Sequence, residues 1–489
     1  MGNSVLATDG YKFSMAAAGF PLRKETFYYS HRRGGPHLLP FDVEQLIRSM
    51  LPGPLDEADP EDARFLDAHG YQMGGAYWAA MAGDITVQSL PKGSWFFDRE
   101  PVFTVTGPSA LVSWLEPLAL QLHYRIQVAT LAKLGTADAL RDAVGTVSCD
   151  AQRDIVLDTL AAVGVDAPPI QIDEDGYAAH VRTRVSALVD IVEDPRRVFE
   201  VGMRAATCMA QHRIALAAAQ EVGLQATSNV TLAQQLGMKP VGTMGHEHVQ
   251  RFGSDAAAFR AMRDRHPGPT SFLLDTFSTI HSGLPTAFDL VQEDPSRGDT
   301  VRFDSGDKET QFLIACSMAR HRGIQPRFIL EDGFNAGMTQ RFEDLRRLQG
   351  LPPSDVLYGY GGHIVRSPFN GLTRDRVAAV WKVTQSGPFA TMKFGDEPGS
   401  GKESIPGRPV LYRRYDGARW VGVVGQDGET MAQGDVPVMG PDVPLRVQFT
   451  PAEASAFALD QGPRPLYSTA TQALVDTLTA ARKRALKGG

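Results

Sequence analysis

The stretch VRFDSGD, residues 301–307, decides how the chain is read. A short strand delivers Arg302 and Asp304, and Ser305-Gly306 then turns the backbone tightly and presents Asp307. Four more stretches share this form: an apolar run stops at a polar or glycine cluster, and a helical pattern follows. They are 239–243, 271–275, 327–332 and 355–359. Between the ends Thr243, Asp275, Asp304, Asp332 and Gly359 the steps are 32, 29, 28 and 27 residues. About thirty residues is one strand plus its return helix, so 235–385 reads as consecutive βα units. Polar residues always at the strand's carboxyl end suit the active-site face of an α/β barrel. A doubly wound open sheet has the same spacing, and the barrel is the preferred reading.

Outside these units the texture changes. Residues 1–140 read as mixed α+β, with a helical pattern at 41–50 and short β-rich runs at 85–87, 95–97 and 102–105. The apolar stretch 110–134 predicts one or two buried helices. After residue 386, 394–407 (FGDEPGSGKESIPG) is rich in Gly and Pro and reads as a mobile loop or lid. A hairpin follows over 410–415 and 419–424, and a basic-ended helix over 469–487. The domains expected are therefore 1–140, an α/β barrel over 141–385, and a C-terminal segment over 386–489.

Composition excludes several classes. With 43% hydrophobic and 21% charged residues, the 489-residue chain is neither disordered nor collagenous. A net charge of −7 argues against general nucleic-acid affinity, which needs a basic face. Cys149, Cys208 and Cys316 lie far apart without CxxC spacing, which excludes a disulfide framework and a closed zinc site. With no secretory signal pattern and no apolar run of membrane length, a cytoplasmic location is expected.

Two carboxylates beside a Ser-Gly turn suit Mg²⁺ and ribose hydroxyls, so Asp304 and Asp307 are candidate metal ligands. Arg302 suits a carboxylate or phosphate; the plainer reading is a solvated turn. In GTMGHEH, 242–248, His246 follows a strand and could act as base, metal ligand or phosphoryl acceptor. HExxH is absent because position 250 is Gln250, which excludes that zinc site. Gly361-Gly362, after a late strand, suit a phosphate held by backbone N–H groups. Glu331-Asp332-Gly333 could bind ribose hydroxyls or cap a helix. Arg32-Arg33-Gly34-Gly35 could clamp a pyrophosphate. The P-loop pattern fails around Gly399–Lys402, where Glu403 stands in place of Ser or Thr.

Taken in order, TDGYKFSM (8–15), FYYSHRRGG (27–35), PKGSWFFDREPVFTVTGP (91–108), FEVGMRAA (199–206), SNVTLAQQLGMKPVGTMGHEH (228–248), LLDTFST (273–279), VRFDSGD, EDG, YGYGG (358–362), NGLTRD (370–375) and SIPGR (404–408) resemble the nicotinate phosphoribosyltransferase family, to which nicotinamide phosphoribosyltransferase is related. The resemblance implies a TIM-like α/β barrel of the type II phosphoribosyltransferase kind, with a second α+β domain built from both chain ends. It implies a homodimer with active sites at the subunit interface. The implied reaction joins nicotinate to phosphoribosyl pyrophosphate (PRPP) with Mg²⁺, coupled to ATP hydrolysis in NAD biosynthesis.

The resemblance also implies roles. His246 matches a histidine phosphorylated by ATP, with Glu247 orienting its ring and Thr243 at the substrate. Asp304 and Asp275 would stabilise the cationic ribosyl group. Tyr11 would stack on the pyridine from the neighbouring subunit, with Arg302 near the substrate carboxylate. Arg33 and Arg374 would hold phosphate or pyrophosphate, Arg32 being a substitute for Arg33. Gly361 and Gly362 would hold the 5′-phosphate, with Asp332 and Gly333 at the ribose. NGLTRD and YGYGG look closer to the nicotinamide branch, while FEVGMRAA with Glu200, SNVTLAQQLGMKPVGT and VRFDSGD look closer to the nicotinate branch, which is the preferred reading. An acidic group near the ring, were Glu200 to point there, could accept an amide N–H₂ and repel a carboxylate. A non-catalytic nucleotide sensor is disfavoured because His246, Asp304 and Arg302 are all present. An unrelated phosphate-binding aldolase or isomerase barrel is disfavoured because no Lys or Glu base stands at a strand end. His248 has no role in this reading.

Overall fold

The structure, a computed structural model, describes residues 3–486 apart from 54–59, 267, 395–401, 418, 441–442, 444–447 and 461–464. Half of the expected mobile loop at 394–407, residues 395–401, lies outside the described residues, and Ser404 and Ile405 of the other half are buried. All five anticipated βα strands are present, as Lys239–Pro240, Ser271–Leu273, Thr300–Phe303, Arg327–Leu330 and Val356–Tyr360. Two short strands precede them, Val198–Glu200 and Ala226–Thr227, too brief to show any periodicity in sequence.

These seven strands form one parallel sheet, and the last, Val356–Tyr360, returns to pair with the first, Val198–Glu200. The sheet is thus curled. Among the described residues no ladder joins Lys239–Pro240 to Ser271–Leu273, so the ring stays open at that seam. The return helices start on side-chain caps: Ser254 accepts from Ala257 N, Asp307 from Thr310 N and Asn335 from Met338 N. Gly253 and Gly323 end two of the helices with positive φ, where a Cβ would be strained.

Alternate residues of the strands face inward, as the period of two requires. Ser271 and Leu273, Thr300 and Arg302, and Arg327 and Ile329 all line a cavity of about 1080 Å³. The interior of the curled sheet is therefore hollow, unlike the filled core of a closed barrel.

A second sheet is antiparallel, in the order Phe389–Ala390, Ala379–Ser386, Lys24–His31, Phe103–Pro108, Thr86–Ser89. It draws on both sides of the parallel units, since Ala379–Ser386 pairs with Lys24–His31. The apolar stretch after residue 108 forms three successive helical segments, Ser109–Trp114, Glu116–Gln121 and His123–Leu134. The hairpin forms as Pro409–Tyr415 and Trp420–Gln426. No described helix is long and apolar enough to cross a membrane.

The N-terminal helix Gly10–Ala17 sits over the open seam. Gly10 N donates to Ser228 O at 2.7 Å, and a Cβ on Gly10 would lie 2.4 Å from Val241 O. Conversely, a Cβ on Gly242 would lie 2.2 Å from Tyr11 N. Two glycines therefore meet backbone to backbone, and neither has room for a side chain. Gly242→Ala should lower stability by about 1–3 kcal/mol, as overpacking does. Urea unfolding checks this, and a loss below about 0.5 kcal/mol would contradict the close approach.

Candidate active site

His246 opens the helix His246–Phe252, directly after the seam strand and its Gly-containing turn. Its imidazole is buried. Nδ1 lies 3.0 Å from Thr276 Oγ1, while Nε2 lies 2.6 Å from Lys393 Nζ and 3.4 Å from Asp304 Oδ2. Asp275 Oδ1 stands 3.7 Å from the same nitrogen, and Lys393 is 3.5 Å from Asp275 Oδ2. An ammonium can only donate, so Nε2 accepts and Nδ1–H donates to Thr276. Burial and then the Lys393 charge hold the His246 pKa down to about 4 against the pull of the two carboxylates. The ring is neutral at pH 7, with its free pair on Nε2.

The carboxylates stay ionised. Burial pushes Asp275 and Asp304 up, but Lys393 and His246 bring Asp275 down, and His246 with Arg302 brings Asp304 well below the usual range. Arg302 donates to Thr243 Oγ1 and to Met244 O, both at 2.7 Å, and to Asp304 at 3.2 Å, and its Nε faces Glu331. It thus ties the seam turn to the next strands as well as lining the cavity.

Glu247 does not orient the imidazole. Its carboxylate is held by other partners, accepting from Lys12 at 2.5 Å, Ser113 at 2.9 Å and Arg251 at 3.3 Å. The hydroxyl of Thr276 takes the orienting role instead. Lys12 also reaches Glu116 at 2.5 Å, and the Tyr11 hydroxyl donates to the same carboxylate. Tyr11 lines the cavity from within its own chain, its ring against Gly245 and 5.5 Å from the Arg204 guanidinium.

Glu200 is turned away from the cavity. It is fully buried, accepting from Thr227 Oγ1 at 2.6 Å and from Gly202 N, with His212 Nε2 at 3.0 Å. The acidic group that could reject a carboxylate is therefore absorbed in packing. Asp307 is also not a site ligand: both its oxygens accept from Thr310, at 3.2 and 2.6 Å, as the cap of Lys308–Arg322. The groups that gather around Asp304 are His246 and Asp275, whose ligand atoms fall with its own within 4.8 Å of one another. His248 is a core residue, its Nε2 3.1 Å from Ala258 O and its ring on Phe252.

Around this centre the wall is cationic. Arg32, Arg33, Arg374, Asp332, Gly333, Gly361 and Gly362 all line the cavity. Arg33 anchors on Asp375 O at 2.6 Å and Arg32 on Lys402 O at 2.8 Å, so both arginines of the pair are at the cavity. Sequence reasoning missed Arg204, Lys382, Lys393 and Lys402, which line it too. Burial, then repulsion from Lys393, holds Lys382 down to about 7. Asp332 has φ +60 and Gly333 φ +77, a turn that Lys308 braces through Asp332 O at 2.7 Å. The cap of the next helix is Asn335, so the Glu-Asp-Gly turn is left to face the cavity.

No family model matches the chain. A nicotinate phosphoribosyltransferase of Mycobacterium tuberculosis is 30% identical over 226 residues, 44% of this chain and 45% of that protein. One from Bos taurus is 25% identical over 397 residues, covering 76% of this chain and 65% of that protein. The match thus spans less than half of the mycobacterial relative and about two thirds of the bovine one. The chain is thus similar in sequence to proteins named nicotinate phosphoribosyltransferase. The fold agrees: the crystal structure of nicotinate phosphoribosyltransferase from Porphyromonas gingivalis superposes with a TM-score of 0.58 at 17% identity, over 82% of this chain and 96% of that one. Lys393→Ala should raise the His246 pKa above about 4, because Asp275 and Asp304 then oppose burial without the lysine's repulsion. An NMR titration of the imidazole reads this directly, and a value still near 4 would show that burial alone sets it.

Proposed function

We propose that the chain transfers the phosphoribosyl group of PRPP to nicotinate, giving nicotinate mononucleotide and pyrophosphate. ATP hydrolysis is coupled to the reaction through a phosphohistidine at His246. The observation that carries this reading is the neutral His246, its Nε2 aimed among Lys393, Asp275 and Asp304. In the coupling step an Nε2–P bond forms as the terminal P–O bond of ATP breaks, and ADP leaves. Lys393, already on Nε2, meets the arriving phosphoryl charge, and Nδ1–H stays on Thr276.

The transfer itself needs no strong base, since the pyridine nitrogen already carries a lone pair. The barrier lies in breaking the bond from C1 to pyrophosphate through a cationic ribosyl group. Asp275 and Asp304 supply negative charge beside that group, and Arg32, Arg33, Arg374 and the cavity lysines hold the leaving pyrophosphate. The same two carboxylates offer the hard oxygen ligands that Mg²⁺ takes, and Asp275 Oδ1 has no hydrogen-bond partner among the described residues. When bound, Mg²⁺ would neutralise pyrophosphate charge. The 5′-phosphate lies on Gly361 and Gly362, with the ribose hydroxyls toward Asp332 and Gly333.

Nicotinate is favoured over nicotinamide because Glu200 faces the core and Arg204 stands beside Tyr11, offering a cation to the substrate carboxylate. A homodimer and a cytoplasmic setting in NAD salvage complete the reading.

Product analysis by mass spectrometry tests it, with PRPP, Mg²⁺ and ATP supplied beside nicotinate or nicotinamide. Nicotinate mononucleotide should dominate; nicotinamide mononucleotide would move the chain to the amide reaction, and neither product would favour a nucleotide sensor. His246→Ala should abolish nicotinate-dependent ATP hydrolysis and leave slower ATP-independent product. Undiminished ATP hydrolysis would remove His246 from the coupling.

A further inference from the structure

Two of the three cysteines meet, although 59 residues separate them in sequence. Cys149 Sγ and Cys208 Sγ lie 3.9 Å apart, both buried. The same local motif presents each of them. Ser148-Cys149-Asp150-Ala151-Gln152 and Thr207-Cys208-Met209-Ala210-Gln211 both read Ser/Thr-Cys-x-x-Gln. In each copy the cysteine is the N-cap of a 13-residue helix, Asp150–Ala162 or Met209–Glu221. In each copy the Gln side chain also accepts from the backbone N–H before the cysteine, at 2.9 Å from Ser148 and 2.7 Å from Thr207. Two helix starts therefore face each other with a thiol at each tip.

We propose that Cys149 and Cys208 are a redox-modification site that closes into a reversible disulfide. The sulfurs need to approach by about 2 Å to reach bonding distance, within the reach of a side-chain rotation. Cys208 is the first nucleophile. Its sulfur accepts from Gln211 N at 3.5 Å, and a helix N-terminus favours a thiolate. The hydrogen bond from Cys149, with these N–H groups, brings the Cys208 thiol down to about 7, while Cys149 is pushed up. With hydrogen peroxide as oxidant, the Cys208 thiolate attacks one peroxide oxygen, the O–O bond breaks, and Cys208 becomes a sulfenic acid as water leaves. Cys149 then attacks the Cys208 sulfur, the S–S bond forms, and the sulfenic oxygen departs as a second water. Two thiols lose two electrons, and one peroxide gains them.

The bond would act on the cavity wall. Cys208 ends the segment that begins at strand Val198–Glu200 and carries Phe199 and Arg204 to the cavity. The helix it caps supplies His212, whose Nε2 lies on Glu200. Drawing Cys208 toward Cys149 shifts both ends of this segment together.

The test is a thiol count and peptide map of the full chain after peroxide, read under denaturing conditions. The count should fall from three to one, with Cys149 and Cys208 peptides joined and Cys316 still alkylated, and dithiothreitol should restore three. Amide exchange over residues 199–212 should change on oxidation in the wild type and stay unchanged in Cys149→Ser. In that variant dimedone should trap Cys208 as its sulfenic acid. A count that stays at three, separate adducts on the two cysteines, or a link that dithiothreitol does not open would overturn the proposal. None of these readouts depends on which reaction the cavity catalyses.

Discussion

Lys12 lies between two buried carboxylates, Glu116 and Glu247, at 2.5 Å from each. Glu247 belongs to the helix that begins with His246, so the N-terminal segment holds the histidine's helix from behind. The network continues through Arg251, which joins Glu247 to Glu25 on the antiparallel sheet. Removing one partner of such a buried set leaves an uncompensated charge, a loss of about 3–5 kcal/mol. Burial pushes the Glu116 carboxyl up, but Lys12 and Arg204 bring it down to about 2. The stability from that pairing is fully present above the ordinary carboxylate pKa and is lost as pH falls toward 2. The tie therefore holds throughout the range in which the proposed chemistry would run.

The geometry separates two jobs among adjacent residues. His246 meets Lys393 and the two aspartates, while Glu247 is taken up by Lys12, Ser113 and Arg251. The cavity side is rich in cations, with Lys393 the nearest to His246. Burial, and then that lysine, keep the imidazole neutral despite two carboxylates within 4 Å, the condition for an attacking nitrogen.

The repeating βα units were legible because 301–307 and its four counterparts carry apolar runs, turn residues and even spacing. The strands 198–200 and 226–227 were not, because two or three residues show no period. His246, Asp304, Arg302 and the basic pair at 32–33 stood out as residue types at strand ends, and the fold brings them to one cavity. What sequence could not supply was direction. Glu200, Glu247 and Asp307 are acids in the right motifs, but each is turned to a local partner: Thr227, Lys12 and Thr310. Lys393 was invisible for the opposite reason: it belongs to no motif, and its place beside His246 is made by a contact 147 residues away in sequence. Cys149 and Cys208 carried a repeated pattern that spacing alone did not reveal, since they meet only in three dimensions.

The central claim is that the N-terminal segment fixes the His246 helix across an open seam. Hydrogen exchange in Lys12→Met measures it most directly. The account predicts that amides of His246–Phe252 lose protection while those of Thr300–Phe303 and Arg327–Leu330 keep theirs. Unchanged protection in His246–Phe252 would contradict it, and would mean that the sheet itself holds the histidine.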